Sequence, residues 1–157
     1  MRCIAYLLTT IAAAVLVSGQ LHAATHKITP ADLEGNALSL TELLSSFESG
    51  DEVILSAGMY LGPVFITKPL TLKGDAEAII DAQGQGSVIH VKAENVTIEG
   101  LTLINSGISH EQKDSGIFLD RVAHGAYVTK NTLRNNLVGV YIWGAKDAEI
   151  RENTLSL

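Results

Sequence analysis

From Val53 onward the chain is built of short alternating apolar runs, each closed by a glycine, a proline or an asparagine. Val53-Ile54-Leu55, Val64-Phe65-Ile66, Leu70-Thr71-Leu72 and Ala78-Ile79-Ile80 have β character. Gly58, Gly62-Pro63, Pro69, Gly74 and Gly84-Gln85-Gly86 mark the turns between them. Earlier in the chain the period is different. Leu40, Leu43, Leu44 and Phe47 fall at i, i+3, i+4 and i+7, which places them on one face of a helix. Ser39 and Glu42 supply a capping box at its start and Gly50 a stop, so the pattern predicts a short helix over 40–48. Its expected job is to cover an apolar end of the strand-rich region. Residues 24–37 show no clear period.

After Gly86 the runs recur, and the recurrence decides the fold. Ile89-His90-Val91 matches Ile117-Phe118-Leu119 and Val140-Tyr141-Ile142. Val96-Thr97-Ile98 matches Ala126-Tyr127-Val128 and Ala148-Glu149-Ile150, and Leu101-Thr102-Leu103 matches Asn131-Thr132-Leu133 and Asn153-Thr154-Leu155. The later spacing is about 22 residues, a period that belongs to solenoids. The earlier spacing is longer, and the excess lies in the polar stretch Ser106–Ser115, predicted to be a loop inserted into one coil.

A coil of this kind cannot bury its inner face alone, so coils must stack. The predicted inward columns are Ile89/Ile117/Val140, Val91/Leu119/Ile142, Ile98/Val128/Ile150 and Leu103/Leu133/Leu155. Ala93, Val122 and Ala145 are expected to turn inward between strands. Asn105/Asn135 and Asn131/Asn153 suit amide ladders at the corners. The L-x-x-L-x-L consensus of leucine-rich repeats is absent, which leaves a right-handed parallel β-helix with a short N-terminal capping helix. Leu157 falls in mid-coil, so the stretch from 50 to 157 reads as the N-terminal coils of a longer solenoid, after an N-terminal segment over 24–49.

The first residues belong to a different grammar. Met1-Arg2 is a short basic start, Ile4–Val17 is apolar, and Ser18–Ala23 is a small and polar exit. That order is a secretory signal peptide, and the apolar run is shorter than the ~20 residues of a membrane span. Cleavage after Ala23 is expected, with cleavage after Gly19 or an uncleaved anchor as alternatives. The 157-residue chain carries 11 Lys+Arg against 17 Asp+Glu, for a formal net charge of −6. Losing residues 1–23 removes Arg2 and no acid, which makes the exported protein more acidic still. An acidic chain without a basic block is a poor partner for nucleic acid. Its one cysteine, Cys3, lies in the leader and leaves neither a disulfide nor a thiolate metal site.

Candidate chemistry is sparse. Many β-helices act on acidic polysaccharides and need carboxylates close together on one face. Here Asp81, Asp114, Asp120 and Asp147 stand singly, and His124-Gly125 is a fragment of a motif at a turn. No catalytic residue is assigned, and the reading is of a protein that is not an enzyme. Met and His suit Cu(I) when two or three converge. The candidate metal ligands are His90, His110 and Met59, none in a ligand-spaced motif. His90 is either an ordinary outward strand residue or part of a docking face. His110 shares the inserted loop with Glu111 and Asp114. The outward Phe118/Tyr141 column, with Trp143 beside it, either stacks on a sugar or protein partner or only stiffens the sheet.

The wording of several segments is similar to one family. Gly50-Asp51-Glu52-Val53-Ile54-Leu55, Ala57-Gly58-Met59-Tyr60, the run from Gly62-Pro63 through Lys68-Pro69-Leu70-Thr71-Leu72-Lys73-Gly74, and Ile80-Asp81 resemble the opening coils of the NosD family. Val96-Thr97-Ile98-Glu99-Gly100-Leu101, Asn105-Ser106-Gly107 and Gly139-Val140-Tyr141-Ile142-Trp143-Gly144-Ala145-Lys146-Asp147 continue the likeness. Single coil units of this kind are common in carbohydrate-related β-helices, whereas the combined run is more specific. The resemblance implies a periplasmic protein of nitrous oxide reductase maturation. It would work with an ABC-type ATPase, its membrane subunit and a copper chaperone to assemble the enzyme's copper–sulfur centre, the route to denitrification. ATP hydrolysis would be the partner's task, because no phosphate-binding G-x-x-x-x-G-K-[ST] loop occurs here. Copper would be held transiently, with no tightly bound cofactor. The alternative is an exported β-helix that binds or modifies polysaccharide.

Overall fold

The computed structural model describes residues 23–34, 38–75 and 77–156. The expected leader, residues 1–23, lies outside them except for Ala23. Among the described residues, fifteen short strands, numbered along the chain, make three sheets in which every pairing is parallel. The first sheet stacks β1 (Thr25–Ile28), β2 (Glu52–Leu55), β5 (Thr71–Gly74), β8 (Thr97–Glu99), β11 (Tyr127–Thr129) and β14 (Glu149–Arg151) in that order. The second stacks β4 (Val64–Ile66), β7 (Ile89–Val91), β10 (Ile117–Leu119) and β13 (Val140–Ile142). The third holds β3 (Gly58–Leu61), β6 (Ala78–Asp81), β9 (Thr102–Ile104), β12 (Thr132–Arg134) and β15 (Thr154–Ser156).

All four predicted inward columns are the observed register. Ile117 pairs with Ile89 and Val140, Leu119 with Val91 and Ile142, Val128 with Ile98 and Ile150, and Leu133 with Leu103 and Leu155. The columns continue upstream through Val64, Ile66, Leu72, Val53 and Ile80. These upstream side chains are almost wholly shielded and belong to one continuous core. Ile142, on the last described coil, is in the predicted register but 44% exposed.

One inward assignment is corrected. Val122 is 53% exposed, while Ala123 beside it is fully buried. The turn between β10 and β11 is longer than its neighbours, and its additional length is taken up outside. There the Asp120 carbonyl accepts from Ala123 N, and Asp120 Oδ1 accepts from Arg121 N. Counted back from the following strand, the small inward residue is Ala93, Ala123 and Ala145 in successive coils.

The helix forms where predicted but ends earlier, over Leu40–Ser46 with Phe47 as its C-cap, ahead of Gly50. Ser39 and Glu42 make the reciprocal capping box. Leu40 and Leu44 are buried, and Leu43 and Phe47 pack against the core. The helix (α2) covers one end of the solenoid and fixes the second sheet, since Thr41 Oγ1 accepts from Phe65 N at 2.9 Å. The aperiodic segment before it holds a strand and a helical turn, β1 and α1 (Pro30–Glu34). β1 is the outermost strand of the first sheet, paired with β2 from Thr25↔Glu52 to Ile28↔Leu55.

The corners between the first and third sheets are tight and left-handed. Gly100, Lys130 and Glu152 occupy them at φ of +72°, +56° and +52°. The next residue in two of the three coils is an asparagine of the predicted ladder. Asn131 is buried; its Oδ1 accepts from Leu101 N at 3.0 Å, and its Nδ2 donates to Ile98 O and Asn153 Oδ1, both at 3.0 Å. Asn153 Nδ2 donates to Val128 O at 2.9 Å. The other ladder runs from Asn135 Nδ2 to Asn105 Oδ1 at 2.6 Å, then from Asn105 Nδ2 to Asp81 Oδ1 at 2.9 Å. The buried amides close turns whose backbone groups the strands leave unpaired, and the outer ladder ties corner to corner.

Candidate functional site: an aromatic face beside the inserted loop

Parallel pairing in register places like positions above one another, so the outward residue of each strand in the second sheet joins a column. Phe65, His90, Phe118 and Tyr141 form it. The ring centroids lie 5.6, 4.5 and 5.3 Å apart in succession, and Trp143 sets its edge against Phe118 at 5.9 Å. Rings at these separations attract through offset or edge-on contacts. Lys92 stands over the Phe65 ring at 5.1 Å and Arg121 over Trp143 at 5.1 Å, so cations border both flanks.

The column is less open than its outward pleat position suggests. Phe118 is only 3% exposed, because His90, Tyr141 and Trp143 enclose its ring. It is the packed centre of the face and presents no free ring surface. Trp143, 49% exposed, and Phe65 carry the accessible aromatic area, with Tyr141 half-buried. The reading of the predicted face Phe118, Tyr141 and Trp143 as an exposed stripe is corrected in this respect for Phe118, and Phe65 at its other end was missed. The signal was available, since Phe65 is the middle residue of a β run like His90.

His90 Nε2 lies 3.2 Å from Asp120 Oδ2. Burial lowers the His90 pKa below the ordinary imidazole value, and nearby Lys92 adds to this, while the hydrogen bond to Asp120 works the other way. The net direction is downward, so at neutral pH the ring is uncharged. It meets the carboxylate as a hydrogen-bond partner and not as half of an ion pair.

The inserted loop lies beside this face and is tied down. Asp114 is buried and Oδ2 accepts from Ser109 N at 2.8 Å. Gly107 N donates to Gly86 O at 2.7 Å, and Gly107 must be glycine because a Cβ there would strike the Gly86 backbone nitrogen as well as Asp114 Oδ2. Ser115 N donates to Ser87 Oγ at 3.1 Å. Gln112 and Asp114 join Phe65, His90, Phe118 and Trp143 around a shallow groove of about 350 Å³. That volume is at the small end of ligand sites, roughly 300–1,000 Å³.

The candidate metal ligands do not come together. Met59 is on β3 in the third sheet, His90 on β7 in the second, and His110 is exposed in the loop. Asp114 turns into the loop backbone, away from any cluster with His110 and Glu111. Among the described residues no group of three or more His, Cys, Asp or Glu is placed to hold a metal ion.

No family model matches the chain. It is 34% identical over 101 residues, 64% of its length, to the "Probable ABC transporter binding protein NosD" of Stutzerimonas stutzeri, of which it covers 23%. A NosD of Pseudomonas aeruginosa is also 34% identical over 101 residues, with 24% of that protein covered. A cell surface glycoprotein of Methanothermus fervidus is 35% identical over 94 residues, 59% of this chain and 14% of the glycoprotein. The coil grammar is thus shared beyond NosD. The chain spans about a quarter of the length of these two NosD proteins. Among solved structures, a pectin methylesterase crystallised with a hexasaccharide has a TM-score of 0.52 at 16% identity, covering 81% of this chain and 48% of its own. At that identity the likeness speaks for fold alone, the right-handed parallel β-helix. Over nearly two thirds of its length, then, the chain resembles NosD, and it does so on a parallel β-helix.

Proposed function

We propose that this chain forms the opening coils of an exported accessory protein of an ABC-type transporter. In that reading it serves in the periplasm in the assembly of the copper–sulfur centre of nitrous oxide reductase. The observation that carries the proposal is the 34% identity over 101 residues to NosD proteins of two organisms. The signal-peptide order of residues 1–23 supports export. The role is non-catalytic: the protein offers a docking surface, while a partner ATPase and its membrane subunit hydrolyse ATP and a copper chaperone supplies metal. Copper passes as cargo and is held only briefly. The groove flanked by Phe65, Trp143, Lys92 and Arg121 is the surface we assign to a partner.

The decisive experiment deletes the gene in a host that reduces nitrous oxide. Loss of nitrous oxide reduction and of reductase copper, both restored by the intact gene, is the expected result. A fully loaded reductase in the deletion strain would sink the maturation role. Polysaccharide binding is the second reading, favoured by the accessible rings of Phe65 and Trp143 beside the groove. Saturable binding of an oligosaccharide, lost in Trp143→Ala, would carry it.

A further inference from the structure

The best-enclosed carboxylate that holds the N-terminal segment is Asp51, just ahead of β2. It is 4% exposed and accepts three hydrogen bonds: Oδ1 from Ala24 N at 2.9 Å, and Oδ2 from His26 Nε2 at 2.9 Å and from Glu48 N at 3.0 Å. The His26 ring is in turn stacked on Phe47 with centroids 4.1 Å apart, which fixes its nitrogen on the carboxylate. Ala24 is held from its other side as well, since its carbonyl accepts from Glu52 N at 2.8 Å. A carboxylate sunk against the backbone nitrogen of one particular residue is a specific arrangement. That residue directly follows Ala23, where the leader is expected to be cut.

We propose that the exported protein begins at Ala24 and that Asp51 is the binding site for its new α-ammonium group. In the precursor, Ala24 N is an amide and its bond to Asp51 is an ordinary charge–dipole contact. A leader peptidase hydrolyses the Ala23–Ala24 bond with one water. The water oxygen stays on Ala23 as a carboxylate, and Ala24 leaves as a free amine that takes up a proton. The same nitrogen then carries a full positive charge beside a shielded carboxylate, and charge-assisted bonds of this kind are roughly twice as strong as neutral ones. Cleavage therefore locks β1 onto β2. Of the other charges nearby, Glu52 is engaged by Lys73 Nζ at 2.5 Å, and His26 already shares the Asp51 carboxylate. Cleavage after Gly19 would leave Gln20–Ala23 ahead of Ala24 and place no charge on Asp51.

The test expresses the full chain in a bacterial host and recovers the exported product. Its intact mass should correspond to a start at Ala24; a start at Gln20, or an uncut chain, overturns the proposal. Acylation of the α-amine by a small active ester near pH ~6.5, well below the ordinary amine pKa, should be about tenfold slower than in Asp51→Asn, the change expected from a rise of one unit in the amine pKa. Equal rates overturn the ion pair and leave Asp51 a plain cap. A precursor with Gly-Ser inserted between Ala23 and Ala24 covers the case in which Asp51→Asn does not fold. Its product should melt below the native one and acylate as fast as a free peptide amine, and an unchanged melting temperature counts against the lock.

Discussion

The hydroxyl of Tyr60 lies 2.9 Å from the main-chain carbonyl of Ile28 and 2.9 Å from that of Ser56, its single proton shared between the two acceptors. One buried side chain of β3 thus closes the far end of β1, whose near end rests on Asp51. Burial, with the charge of Asp32 assisting, pushes the Tyr60 pKa up to about 12. A phenol with a raised folded pKa stabilises the fold while it is protonated in both states. That contribution is intact below the unfolded value near ~10 and is lost as pH rises from there towards 12. Alkaline unfolding of the native protein should therefore steepen above about pH 10, and Tyr60→Phe should flatten this dependence at a cost near ~1 kcal/mol at neutral pH. Denaturant titrations at several pH values read both effects.

The core register makes a sharper claim. Leu119 is buried within β10, and a carboxylate there has neither partner nor water, so Leu119→Asp should prevent folding. Ile142→Asp, one coil further on at a half-open position, should cost visibly less. Tyr141→Ser should leave the solenoid folded. Thermal unfolding of the three variants ranks them, and equal damage from Leu119→Asp and Tyr141→Ser would mean that the faces are misassigned.

The asparagine ladders separate into a buried and an exposed case. Asn131→Ala leaves the Leu101 amide and the Ile98 carbonyl without their partner in a water-free corner, at an expected cost of about 2–3 kcal/mol. Asn135→Ala breaks one amide bond at an exposed corner, where water replaces it, for about 0.5 kcal/mol. Equilibrium unfolding in urea distinguishes the two.

Lys130 occupies a left-handed corner that Gly100 fills in the preceding coil. Lys130→Gly relieves that backbone cost and should raise stability by about 0.5–1 kcal/mol. The salt bridge it removes, to Glu99 at 3.1 Å, is at the surface and contributes little. A fall in melting temperature would show the ion pair to be worth more than the backbone relief.

His90 gives a pH dependence of the opposite sense to Tyr60. Its folded pKa is lowered by burial, so below the ordinary imidazole value near ~6.5 the unfolded chain binds the extra proton first. Stability should decline as pH falls through that range, and His90→Phe, which keeps a ring in the column, should remove the decline. The midpoint of His90 in an NMR titration, below the ordinary imidazole value, checks the cause.

The alternation of Ile89, Ile117 and Val140, and of the columns beside them, was legible because inward burial repeats once per coil and leaves a written period. β1 was not legible for the converse reason. Only Ile28 of its four residues is buried, and what holds it comes from Asp51 and Tyr60, remote in sequence. Val122 was misplaced because turns of unequal length must be counted back from the following strand. The aromatic column could be read from repeated middle positions, but the enclosure of Phe118 depends on where the next turn sets Trp143, which no periodicity encodes. The scattered His and Met residues could be named from composition, whereas their separation on different sheets required the three-sided cross-section.

Parallel in-register pairing also gives the outer face a metric. Successive coils are set about 4.8 Å apart by their backbone hydrogen bonds. Phe65, His90, Phe118 and Tyr141 therefore form a ruled row with one ring per division. Because Phe118 is enclosed, the open divisions are the two ends of the row, Phe65 and Tyr141, three coil spacings apart: a partner whose own groups recur at that distance engages both ends, and one with another repeat engages a single ring.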